Sequence, residues 1–354
     1  MLLSAVGALL AAAATVTPAP TTPAPATPTP SELTIVRDTR IIESSGLAAS
    51  PVHPGLVWMV NDSGSAALVY GVELATGRTQ AVLRLVDAQS REVQARDIEA
   101  MTAALGTDGR GLLWLADVGD NRGVRESVVL RLIREPSPAA SANRTPVSVR
   151  VRYPDGPHDV ETIIATPDGR LLLVSKQLFG AVVYQVPAAA VAAAVAGRST
   201  SKPVVAVPVA GVAQSLVTDG AGLPDGRIVL RSYDGAAIYP APPTRATAAE
   251  QLEPLQQVVL PGQPQGETMT VVDEGTALIV GSEGVRQPLW RVPLPAAAPA
   301  PTSSTPASSS TQPAGNPPST AKPTVSRGLL VSGGPVLGLI VVAAAVAFTI
   351  RRRK

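Results

Sequence analysis

Glu161-Thr-Ile-Ile-Ala-Thr-Pro-Asp-Gly169, followed by the apolar run Leu171 to Ser175, decides the fold of this 354-residue chain because it recurs. Thr218-Asp-Gly-Ala-Gly-Leu-Pro-Asp-Gly226 leads into Ile228 to Ser232. Glu267-Thr-Met-Thr-Val-Val-Asp-Glu-Gly275 leads into Ala277 to Gly281, and the three align without a gap. In each, a turn glycine separates two runs short enough to be strands. Two looser copies precede them. Glu43-Ser-Ser-Gly-Leu47 leads to Leu56-Val-Trp-Met-Val-Asn61, and Glu99-Ala-Met-Thr102 leads to Leu112-Leu-Trp-Leu-Ala-Asp117.

Outward from these pairs, a third short run follows in every copy: Leu68 to Tyr70, Val128 to Leu130, Val182 to Tyr184, Ala237 to Tyr239, and Leu289-Trp290. A fourth precedes each anchor: Leu33 to Ile42, Ala81 to Val86, Val147 to Tyr153, Val204 to Val209, and Gln257 to Leu260. The anchors 43, 99, 161, 218 and 267 are spaced by 56, 62, 57 and 49 residues. Four strands per repeat of this length is the unit of a β-propeller. The last copy lacks its fourth strand, and an unpaired one stands at the N-terminus. The ring closes if Leu33 to Ile42 completes the blade begun at Glu267, which leaves no open edge at the seam. The expectation is an all-β domain over residues 32–295 with five blades. Six stays open if Arg122 to Arg150 hides further strands, and a β-sandwich is the alternative fold. Ala188 to Gly197 is the one stretch there that reads as a short helix.

The flanks differ in kind. Residues 1–16 read as a signal peptide, and 17–31 as a Pro/Thr-rich linker. Residues 296–327 are Pro, Ser, Thr and Ala almost throughout, a stalk that has too little apolar bulk to form a core. Residues 328–350 carry no charge, and at about 1.5 Å per residue they are long enough to cross a bilayer of about 30 Å as a helix. The basic tail 351–354 sets a cytoplasmic C-terminus by the positive-inside rule. The expectation is a single-pass cell-membrane protein with its propeller outside.

Charge and cysteine content narrow the function. Of 29 Lys and Arg, four form the terminal tail, which leaves 25 against 27 Asp and Glu. A near-neutral remainder lacks the basic face that nucleic acid requires. With no cysteine, disulfides, thiolate metal sites and a cysteine nucleophile are excluded. Two histidines cannot build a three-histidine zinc site. There is no Gly-x-Ser-x-Gly elbow, phosphate loop or Gly-x-Gly-x-x-Gly run.

Asn61-Asp-Ser-Gly64, Ala116-Asp-Val-Gly-Asp-Asn-Arg122, Tyr153-Pro-Asp-Gly-Pro-His-Asp-Val-Glu161 and Gln265-Gly-Glu267 carry a resemblance. With them the chain resembles uncharacterised secreted or membrane-anchored β-propeller proteins of actinobacteria, a group that implies no activity. It also resembles, more distantly, the five-bladed calcium-dependent apyrases. That resemblance implies a central calcium ringed by inner-strand Glu and Ser residues. The counterparts are Glu43 or Ser44, Glu99, Glu161, Thr218 or Asp219, and Glu267. The nucleotide-contacting residues of that family have no counterpart here.

In a propeller the first strand of each blade lines the central channel, and four of the five anchors are Glu. Carboxylates gathered there need a cation, protons or donors between them. Ca²⁺ suits such a set because it accepts six to eight oxygens in loose geometry. The competing reading is that each acidic anchor accepts backbone N–H bonds from the next blade. The metal candidates are thus Glu43, Glu99, Glu161, Asp219 and Glu267. A second polar group, Asn61, Asp62, Asp117, Asp120, Asn121, Lys176, Tyr233 and Glu283, falls where second strands end. These residues are either turn formers or ligand contacts at the rim. His158, three residues before Glu161, is a conceivable base or ligand, with an ordinary loop role as its alternative. The leading functional reading is a ligand- or partner-binding surface module with a central cation. The alternative is a calcium-dependent extracellular hydrolase of phosphoesters or lactones, and a third is a purely structural envelope protein.

Overall fold

The computed structural model describes residues 29–295, apart from 63–66, 138 and 246–249. The chain divides into two units, residues 1–298 and 299–354, and the described residues belong to the first. The expected signal peptide, most of the linker, the stalk, the membrane helix and the basic tail lie outside them. Among the described residues no helix is long and apolar enough to cross a membrane.

Five antiparallel sheets follow one another along the chain. Their inner strands are Ser44–Ala49, Ile98–Leu105, Val160–Ala165, Asp219–Gly222 and Gly266–Val272. The second strands are Leu56–Asn61, Gly111–Asp117, Leu171–Ser175, Ile228–Arg231 and Ala277–Ser282. Consecutive inner strands pack side by side, and the fifth packs against the first. The protein is a five-bladed β-propeller. The N-terminal strand Ser31–Ile35 pairs with Pro288–Pro293 as the outer strand of blade 5, so the seam closes as the phasing predicts. The short helix forms over Ala188–Val195.

Arg122 to Arg150 holds no sixth blade. It supplies the outer two strands of blade 2, Val128–Arg134 and Val147–Arg152. Its remaining strand, Ala142–Arg144, runs parallel to the outer strand of blade 1, Thr79–Leu85. Val204–Val205 and Gln251–Leu252 cover blades 2 and 3 in the same way. Sequence patterning misses Ala142–Arg144 and Gln251–Leu252 because two or three residues show no period, and it merges Val204–Val205 with the outer strand of blade 3, Val207–Val212.

The hydrophobic core is five layers rather than one. Trp58 and Leu83 of blade 1 meet Ile98 and Leu113 of blade 2, and Trp114 and Leu130 meet Ile163 and Leu173 of blade 3. Similar layers join blades 3 to 4, 4 to 5, and 5 to 1. Each sheet is therefore covered on both faces. This is why the second strands read as unbroken apolar runs and not as alternating ones; Gly111–Asp117 is buried at every position.

Candidate functional site

The inner strands of blades 1, 2, 3 and 5 each slip register by one residue at their start, between Ser44 and Gly46, Ile98 and Ala100, Val160 and Thr162, and Gly266 and Thr268. A bulge leaves one residue unpaired and re-aims its side chain. Those residues are Ser45, Glu99, Glu161 and Glu267, and in blade 4 the ungapped alignment puts Thr218 at the same place. The ring position in blade 1 is therefore Ser45, two residues beyond Glu43.

The non-acidic members of this ring serve the blade joints. Ser45 Oγ donates to Ile98 O, and Thr218 Oγ1 donates to Gly266 O at 3.1 Å. Asp219 lies one residue past the ring position and is fully buried. Its carboxylate accepts N–H bonds from Gly220 at 2.8 Å and from Met269 of blade 5 at 2.6 Å. The blade-pinning role weighed for all the acidic anchors belongs to Asp219.

Two residues before each bulge stands a second tier: Glu43, Asp97, Asp159 and Gln265. Its backbone is held from the end of the second strand. Asn61 Oδ1 accepts from Ile42 N and Glu43 N at 3.2 and 3.3 Å, and Ser282 Oγ accepts from Gln265 N at 3.0 Å. In blade 2 the same place is taken by Asp117, which accepts from Arg96 N and Asp97 N at 3.2 and 3.1 Å. Asp117 also pairs with Arg125 at 2.9 Å and Arg131 at 2.7 Å, all three buried. Burial raises its carboxyl, but Arg131 and Arg125 outweigh that and hold it below the usual range. Asp120 accepts from Arg125 N at 2.7 Å and donates its own N–H to Asp159 at 2.7 Å. Asn61, Asp117 and Asp120 thus shape the loops behind the throat. Asn121 is exposed on the blade 2 loop.

A third set follows the second strands: Asp62, Lys176 and Glu283. With the first two tiers they form a chain of eight carboxyls, each acting electrostatically on at least one other: Glu43, Asp62, Asp97, Glu99, Asp159, Glu161, Glu267 and Glu283. Two regions differ in how this charge is met. Across blades 3 to 5 it is bonded: Lys176 Nζ donates to Glu161 at 2.6 Å and to the Tyr233 hydroxyl at 3.0 Å. Tyr233 and Gln265 donate in turn to Glu267 Oε1 at 3.0 and 3.1 Å. Burial alone would push Glu161 far up, and Lys176 limits the rise to about 7. Glu283 shares a hydrogen bond with Glu267, and burial with that bond pushes it up to about 9.

Across blades 1 and 2 no described Lys or Arg is bonded to the acids, although Asp62 shares a hydrogen bond with Asp97. Asp62, Asp97 and Glu99 place carboxylate oxygens within 4.8 Å of one another. Burial and the Asp97 carboxyl push Asp62 up to about 8. Glu99 is 7% exposed, no described residue donates a hydrogen bond to it, and burial and Glu161 push it up to about 10. Gly119 gives these two acids room, since a Cβ there would lie 2.4 Å from Asp97 Oδ2 and 2.7 Å from Glu99 Oε1.

His158 stands apart, with ring centroids 5.6 Å from both Tyr153 and Tyr184. Its Nε2 is 3.1 Å from Asp155 Oδ1 but without hydrogen-bond geometry. The tier residues Asp97 and Asp159 escape a search for anchors alone. Their signal is the recurring pair Glu43-x-Ser45, Asp97-x-Glu99, Asp159-x-Glu161 and Gln265-x-Glu267.

No family model matches the chain, and no curated protein matches it. Among solved structures, the PQQ-bound aldose sugar dehydrogenase of Streptomyces coelicolor is similar at TM-score 0.42 and 12% identity, covering 76% of this chain and 99% of that one. The apo-form soluble aldose sugar dehydrogenase of Escherichia coli gives 0.41 and 9%, over 75% and 99%. The gluconolactonase XC5397 of Xanthomonas campestris gives 0.36 and 15%, over 77% and 98%. The blade count rests on the strand pairing above and not on these likenesses.

Proposed function

We propose that this protein is a cell-surface binding module whose ligand site is the carboxylate throat, with a divalent cation held by Asp62, Asp97 and Glu99. The observation that carries the reading is that these three acids converge and that, among the described residues, none of them is ion-paired or hydrogen-bonded to a Lys or Arg side chain. Two oxygens each about 2.4 Å from a common ion are at most about 4.8 Å apart, and the three carboxylate oxygens here lie within that limit of one another. An all-oxygen set of this kind suits Ca²⁺ better than a metal that prefers nitrogen or sulfur. Glu43 and Glu267, which raise Asp62 through space, add to the field that draws a cation in. The chain enters blade 5 at Ser31 and leaves it beyond Pro293, at the end opposite Glu267.

The hydrolase reading draws on a separate observation. Glu161 sits near neutrality beside Lys176 and Tyr233, and a carboxyl poised there is suited to general acid–base work.

Calorimetric titration of Ca²⁺ into chelator-treated protein tests the main reading, with one ion per chain expected and loss of binding in Glu99→Gln. No heat and no melting shift would remove the cation. A phosphoester and lactone panel then tests the hydrolase, whose turnover should vanish in Glu161→Gln.

A further inference from the structure

The loops that follow the second strands ring the throat, and each described one carries an apolar side chain into solvent. Val124 in blade 2 is 58% exposed, Leu178 and Phe179 in blade 3 are 68% and 91%, Tyr233 in blade 4 is 38%, and Val285 in blade 5 is 46%. The corresponding loop of blade 1, residues 63–66, lies outside the described residues. Ile42, 45% exposed, stands at the junction of blades 5 and 1. Single exposed apolar residues mean little, but here they recur at one topological position around one axis. Phe179 is the strongest case: it is the one phenylalanine of the described domain, and its side chain is almost entirely in water.

Inside this collar the charge is one-sided. Asp62, Asp97 and Glu99 converge, five further carboxyls are linked to them electrostatically, and Lys176 is already committed to Glu161 and Tyr233. A surface that is apolar at its edge and acidic at its centre complements a segment that is basic at its centre and apolar at its flanks. An ammonium or guanidinium offers the several N–H donors that unpaired carboxylate oxygens require. A bilayer with anionic headgroups would meet like charge at the throat.

We propose that this face docks an extended polypeptide segment that places a Lys or Arg side chain in the throat and apolar residues on the collar, with Phe179 as the main anchor. The proposal rests on the throat being the binding site, but it does not require a metal there. Buried aromatic anchors dominate such interfaces, so Phe179 should change from the most exposed of these side chains to the most protected.

The test is selection of phage-displayed random dodecapeptides on the purified full chain in chelator, followed by affinity measurement of the winners. Enriched peptides should carry a basic residue between apolar ones. Their affinity should fall about tenfold or more in Phe179→Ser and in Glu267→Gln, and it should weaken with salt. Val285→Ser, a second exposed change, should lower it less. Winners without a basic residue, affinity unchanged by Phe179→Ser, or no enrichment over a Phe179→Ser counter-selection would each overturn the proposal. Ca²⁺ calorimetry on the same preparation separates the two readings. Peptide binding without calcium heat removes the cation alone, and calcium heat without peptide binding removes the collar alone.

Discussion

Asp117→Asn isolates the link between fold and throat. The carboxylate of Asp117 is the common partner of two buried guanidiniums and of two backbone N–H groups that hold the Asp97 tier. An amide of the same shape keeps one acceptor oxygen but removes the charge. Arg125 keeps its bonds to Gly119 O at 2.7 Å and Asp117 O at 3.0 Å, whereas Arg131 keeps only the 3.4 Å contact to Gln94 O. Breaking a buried pair by removing one partner costs about 3–5 kcal/mol. For a domain of this size each kcal/mol lowers Tm by about 2–4 °C, so a fall of roughly 6–20 °C is expected by calorimetry. Asn61→Ala, at the equivalent place in blade 1 with neutral partners, should cost about 1–3 kcal/mol. If Asp117→Asn melts within a degree of the parent, the claim that it braces the second tier is refuted.

Other outcomes follow from the same geometry. Asp62, Glu283 and Glu99 are pushed up to about 8, about 9 and about 10, so the folded chain holds protons that the unfolded chain releases. Their contribution is full below about pH 4 and is lost as pH rises through those values. Tm of the metal-free protein should therefore drop between about pH 6 and pH 9, and Ca²⁺ should restore it at the higher value; a Tm flat across that range would count against the buried cluster. Lys176→Met should move the Glu161 titration above about 7, read by carboxyl-carbon NMR, and an unmoved titration would show that the pair is not formed. Gly46→Ala should destabilise by about 1–3 kcal/mol in urea, because its Cβ would stand 2.8 Å from the Met101 Cβ and backbone N of the next blade.

The blades were legible in the sequence because a propeller repeats both its turn chemistry and its doubly buried strands. The closure by Ser31–Ile35 was legible because the strand count left one partner missing at each end of the chain. The site was legible only in outline. Ser45 was missed because blade 1 carries a serine where the other bulges carry a glutamate, and Glu43, two residues earlier, supplies the acidic signal in its place. Asp117 and Asp120 look like rim ligands by position, but Arg125 and Arg131 claim them, and nothing in the spacing of those arginines announces that they fold back. Asp219 looks like a ligand by composition, but it faces Met269 N, because in blade 4 a threonine holds the ring position.

The carboxylate trio is tested most directly by crystals soaked in Mn²⁺, an anomalous scatterer that accepts the same oxygen ligands. One anomalous peak bounded by Asp62, Asp97 and Glu99 is expected. No peak there, or density only at exposed carboxylates elsewhere, would contradict it.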